Sequence, residues 1–210
     1  MSARAGALEP RPLVVAITGA SGAPYAVRLV QALVAARRPV WLIVSSHGFR
    51  LLDTEVGIPS LEALRETVGA EGWDACVTVY DDRDRGARPA SGSARTAGMV
   101  ICPCSMGTLA AVSAGTSRSL VERAADVTLK ERRPLVLVTR ETPLSAIHLE
   151  NMLRATRAGA VVLPAAPGFY HRPTRIEELV DFVVARVLDL LDVEHAVGRR
   201  WAEPVEGSDA

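Results

Sequence analysis

A chain of 210 residues, 49% of them hydrophobic, is long enough to bury one sizeable core and reads as one domain. Its 24 basic and 24 acidic residues balance to a formal net charge of zero, which removes the electrostatic argument for general binding to nucleic acid or an anionic membrane. No apolar run reaches membrane-spanning length and the first residues lack the apolar core of a secretory leader, so a cytoplasmic location is expected. Cys76, Cys102 and Cys104 are an odd set without metal-ligand spacing and read as reduced thiols.

Residues 1–11 read as a flexible N-terminus, 12–195 as the single domain and 196–210 as a C-terminal tail. Leu13 to Thr18 is a short apolar run that ends in Gly19-Ala-Ser-Gly22, after which Tyr25, Leu29, Val30 and Leu33 recur at helical spacing: strand, tight turn, helix. Further short apolar runs span Val40 to Val44, Val77 to Tyr80, Met99 to Cys102, Leu135 to Val138 and Ala160 to Leu163, mostly separated by helical patterns. The polar stretch Asp81 to Arg95 reads as a long loop, and Ile176 to Leu191 as a final amphipathic helix. Strands alternating with helices predict a three-layer α/β fold. In such folds a mainly parallel sheet is flanked by helices and ligands bind beyond the carboxyl ends of the strands.

Two strand-to-helix turns carry small and hydroxyl residues. Free N–H groups at a helix start favour a phosphate, so the turn at Thr18 to Pro24 serves equally as a ligand loop or a packed turn. The turn from Ile101 to Thr108 leads into a predicted helix from Leu109 to Ala114, with Ser105 as a natural N-cap. Two such turns at one sheet edge suggest a mononucleotide across a crevice, and FMN fits better than a dinucleotide. Lys130 is the only lysine beside 23 arginines, which suits a phosphate gripped by a compact point charge; a lysine at a helix end also serves the dipole. Arg123, Arg140, Tyr170 and Arg186 could add to an anion site, and Glu55 and Glu141 are candidate acids or bases, although spacing alone does not assemble them.

At these residues the chain resembles the flavin prenyltransferases of the UbiX type, which implies that the α/β fold is of Rossmann-like or flavodoxin-like type. The resemblance runs from about Val14 to Trp201 through Thr18 to Gly22, Ser91 to Ser93, Cys102 to Ser105, Arg123 to Asp126, Leu129 to Leu135, Arg140 with Glu141, and Pro167 to His171. It implies that Gly19, Ala20, Ser21, Ser45, Ser105, Met106, Gly107, Thr108 and Arg140 hold FMN, and that Ser91, Gly92, Arg123, Lys130, Tyr170 and Arg186 surround dimethylallyl phosphate. Ser21, Glu55, Lys130 and Glu141 are the implied catalytic residues. The implied reaction joins the dimethylallyl group to N5 and C6 of reduced FMN, and the implied assembly is a homododecamer that supplies a UbiD-type decarboxylase.

Asp81 and Asp82, followed by Arg83, do not form the aspartate-rich pair that holds magnesium for a diphosphate, so a metal-independent enzyme is expected. One rival is an FMN-dependent cysteine decarboxylase, for which His47 could pass as the catalytic histidine, but the substrate-clamp signature P-x-M-N-x-x-M-W is absent. The other is a non-catalytic flavin-binding partner of a decarboxylase.

Overall fold

A computed structural model describes residues 10–198. The reading of residues 1–9 and 199–210, Trp201 included, lies outside the described residues. Six strands form one parallel sheet in the order β3-β2-β1-β4-β5-β6: β1 Leu13–Ile17, β2 Val40–Val44, β3 Val77–Asp81, β4 Gly98–Cys104, β5 Leu135–Thr139 and β6 Val161–Pro164. The four central strands are buried along their whole length, as expected of a parallel sheet covered on both faces, and alternate residues therefore enter two separate cores.

Leu13, Val15 and Ile17 face one core with helices α1 Ala23–Ala35, α2 Ser46–Val56, α3 Leu61–Val68, α4 Ala70–Cys76 and α8 Ile176–Leu190. Val14, Ala16, Met99 and Ile101 face the other with α5 Met106–Ala114, α6 Leu120–Lys130 and α7 Ala146–Arg157. The strand order reverses direction between β1 and β4, which opens a crevice at their carboxyl ends.

Two boundaries differ from the sequence reading. β4 runs on through Pro103 to Cys104, with a register irregularity against β5 between Ile101 and Cys104, and α5 starts at Met106 instead of Leu109. Ser105 is thus the whole turn, because its hydroxyl caps the helix as soon as the strand ends. The loop from Asp82 to Arg95 is pinned to the sheet. Arg88 lies over the Trp41 ring at 4.9 Å, and Asp82 accepts from the N–H of Val121 at 2.9 Å to help cap α6. Arg133 donates to the carbonyls of Gly92 and Ala94, both at 2.8 Å.

Candidate active site

The crevice is an open cleft of about 380 Å³ lined by Thr18, Gly19, Ser45, Ser46, His47, Asp82, Ser105, Thr108, Ser119, Val121 and Glu122. Three helices begin at its wall, each capped by a serine whose hydroxyl accepts from the N–H three residues on: Ser45 for α2, Ser105 for α5 and Ser119 for α6. The next N–H groups of a first turn have no acceptor inside the helix, and the dipole adds partial positive charge there. On α5 those groups belong to Met106 and Gly107, and a Cβ placed on Gly107 would meet nothing closer than Ser105 Oγ at 3.9 Å. Gly19 allows close approach on the opposite wall, since a Cβ there would come within 2.5 Å of His47 Cβ.

The first turn takes the packed form, one of the two readings its sequence left open. The N-terminus of α1 is filled from within: both Gly22 N–H and Ala23 N–H donate to Glu55 Oε2 at 2.8 Å. Burial pushes the Glu55 carboxyl up, but the Gly22 N–H, the Ser21 hydroxyl, the Ala23 N–H and the Arg140 guanidinium outweigh it and leave the group below its ordinary value. Glu55 is therefore a held anion at the start of this helix, and α2, which the turn analysis passed over, supplies the second open helix start. The signal was present as Ser45-Ser-His-Gly48 directly after a strand. Arg140 Nε donates to Ser21 O at 3.4 Å, so Ser21, Glu55 and Arg140 do form one cluster beside the cleft. Glu141 is exposed and accepts from the N–H of Thr142 at 3.0 Å.

The residues implied for the prenyl donor are not brought together. Arg123 and Lys130 lie seven residues apart on one face of α6, about 10 Å along its axis. Lys130 ends the helix at the amino edge of the sheet, where Gly92 packs against it and Glu131 pairs with it. Ser91 sits beside Gly92, with its hydroxyl 2.8 Å from that of Ser93. Arg186 belongs to α8 on the opposite face of the sheet, and Tyr170 packs edge-on against Phe182 of the same helix. Each cation has an acidic neighbour: Arg123 with Asp126 at 2.7 Å, Arg186 with Asp189 at 2.8 Å, and Lys130 with Glu131. Such largely exposed pairs are worth little.

The cysteines take no part. Cys102 and Cys104 are buried beneath the cleft, and burial pushes the Cys102 thiol up to about 12 and Cys104 further in the same direction, so both stay protonated and inert.

The Flavoprotein family profile matches residues 1–188. A flavin prenyltransferase UbiX from Pseudomonas aeruginosa is 50% identical over 201 residues, covering 92% of this chain and 95% of its own. The chain belongs to the UbiX flavin prenyltransferase family. A crystal structure of AnUbiX in complex with FMN and dimethylallyl pyrophosphate superposes with a TM-score of 0.86 at 41% identity, covering 93% of this chain and all of that one. A dodecameric FMN-dependent Ubix-like decarboxylase from Escherichia coli gives 0.83 at 42% identity, with 91% and 100% covered. A PPC decarboxylase variant, which stands for the cysteine decarboxylase rival, reaches only 0.59 at 15% identity, a likeness of fold alone. Beside these UbiX relatives, the cleft carries small residues and serine-capped helix starts suited to a flavin phosphate.

Proposed function

We propose that the chain prenylates reduced FMN: the cleft at the β1–β4 crevice holds the flavin, and the dimethylallyl phosphate site is completed between subunits. The observation that carries this reading is the division of the cationic residues between two faces of one sheet, in a chain whose UbiX relatives share its fold at more than 40% identity. Gly19, Ala20 and Ser21 with Ser45 line one wall for FMN, and Ser105, Met106, Gly107 and Thr108 line the other, with Arg140 reaching in from the end of β5. Bound reduced FMN supplies the carbon and nitrogen nucleophiles of the reaction.

This chain's residues do the rest. Lys130 and Arg123 from one subunit, with Ser91 and Gly92 beside them, meet Tyr170 and Arg186 from another around the departing phosphate. There their charge stabilises the anion that grows in the transition state. Glu141, exposed beside Arg140, accepts the ring proton released on closure, a role that the hydrogen-bonded Glu55 anion suits less well. Glu55 holds Ser21 and the α1 turn in place.

Assembly follows from the same surface. α7 buries only Ala155, while Ile147, Leu149 and Leu153 are exposed by 69%, 53% and 50%, an apolar face suited to a homododecamer. Among the described residues no helix is long and apolar enough to cross a membrane. We place the enzyme in the cytoplasm, with a UbiD-type decarboxylase as recipient of its product.

The test is anaerobic incubation of the protein with FMN, a reductant and dimethylallyl phosphate, without added metal. The flavin mass should rise by one C5H8 unit as phosphate is released, and faster than with the diphosphate. Glu141→Gln should bind flavin but react about 10²-fold more slowly. Offered 4′-phosphopantothenoylcysteine, the protein should release no CO₂; carbon dioxide with an unchanged flavin mass would replace this reading with the decarboxylase.

A further inference from the structure

We infer that Thr18 is the positioning residue of the cofactor site: it locks the β1 turn to the β4 turn and so aims the N-terminus of α5 into the cleft. Thr18 directly follows β1 and is 3% exposed, although its side chain is polar. Its hydroxyl makes two bonds to a segment 85 or more residues away, donating to Pro103 O at 2.8 Å and accepting from Ser105 N at 3.0 Å. Its own N–H donates to the same Pro103 carbonyl at 3.2 Å. Three hydrogen bonds thus cross from Thr18 to the end of β4 where the sheet order reverses, beyond the last β1–β4 ladder pair of Ala16 with Ile101.

The bond to Ser105 has a directional consequence. Ser105 N–H is turned back into the protein, and its Oγ accepts from Thr108 N at 3.2 Å. The N–H groups left facing outward are those of Met106 and Gly107. Proline at position 103 has no N–H and cannot add a ladder bond of its own, so the hydroxyl of Thr18 supplies the tie that the strand lacks. Valine has the same shape without the hydroxyl, which would leave Ser105 N–H without its partner at a half-buried turn and let the turn rotate. Serine keeps the donor and acceptor and omits a methyl group.

This inference rests on the proposed placement of the FMN phosphate at α5, and the experiment separates the two. FMN affinity is measured by calorimetry on Thr18→Val, Thr18→Ser and Ser105→Glu oligomers, together with the phosphorus NMR shift of the bound FMN phosphate. Ser105→Glu places bulk and negative charge at the helix start and should abolish measurable binding. Thr18→Val should raise the Kd about tenfold or more and move the phosphorus resonance, while Thr18→Ser stays within about threefold of the parent. Unchanged binding in Ser105→Glu would sink the site placement itself. Loss in Ser105→Glu with parental Kd and resonance in Thr18→Val would leave the site standing and overturn the role of Thr18. If Thr18→Val does not fold, Thr18→Ser decides alone: a tenfold weaker Kd in that soluble variant overturns the inference.

Discussion

The flavin crevice and the row of cations on α6 use the same materials, helix ends and polar side chains, yet only the crevice is assembled within one chain. Its walls come from Thr18, Ser45 and Ser105, which parallel strands deliver to one edge of the sheet, and from Ser119 in the connection between α5 and α6. Lys130 sits at the other edge, and Arg186 lies across the sheet from it. A doubly wound sheet gathers the carboxyl ends of its strands by construction, whereas residues on helix bodies point outward and converge only when copies of the chain pack together. On the proposed function, the flavin site is a property of the fold and the donor site a property of the assembly.

The sharpest blow to this comparison would come from Lys130→Arg. That variant should fold, bind FMN and lose about 10²-fold or more in single-turnover prenyl transfer, because a planar fork replaces a point charge at a transition-state phosphate. A parental rate would return Lys130 to the role of a helix-end residue paired with Glu131.

Subunit mixing tests the split directly. Lys130→Ala and Arg186→Ala should each be inactive alone, while their co-expressed mixed oligomers should recover about a quarter of parental activity, since random mixing leaves that share of inter-subunit sites intact. No recovery would place both residues in one subunit's site and contradict the fold described above.

The smallest effect concerns the crevice alone. The Glu55 carboxyl is held below its ordinary value, so its contribution to stability is complete above the unfolded value of about 4.3 and is lost as pH falls through the folded one. Glu55→Gln should cost roughly 0.5–1 kcal/mol at pH 7, the worth of a partly exposed anion at a helix start, and the gap from the parent should close on acidification. Thermal melting from pH 7 down to 3.5 would show it; a gap that widens in acid would mean that Glu55 is not the anion of the α1 N-terminus.

Much of the fold was legible in the residues. Short apolar runs at Leu13, Val40, Met99 and Leu135 read as buried parallel strands because both sheet faces are covered, so no polar alternation interrupts them. Ser105 was legible as an N-cap because capping is settled within three residues. What local spacing left open were contacts whose partners lie far along the chain. The α1 turn read equally as a ligand loop or a packed turn in isolation, and only the packing of α2 across α1 brings Glu55, 33 residues on, to its N–H groups. The α5 start was read too late because a strand continuing through proline at position 103 has no local signature.

The sequence by itself determined the alternation of strands and helices, the Ser105 cap and the family, since each of these is written in local spacing or in residue-by-residue likeness. Only the tertiary structure decided which helix starts remain open, that Thr18 joins two turns 85 residues apart, and that Lys130 and Arg186 stand on opposite faces of the sheet. The physical reason is range. Caps and periodicity are fixed by neighbours a few residues away, whereas the filling of a helix end and the direction of a side chain across a sheet depend on contacts that exist only once the core has packed.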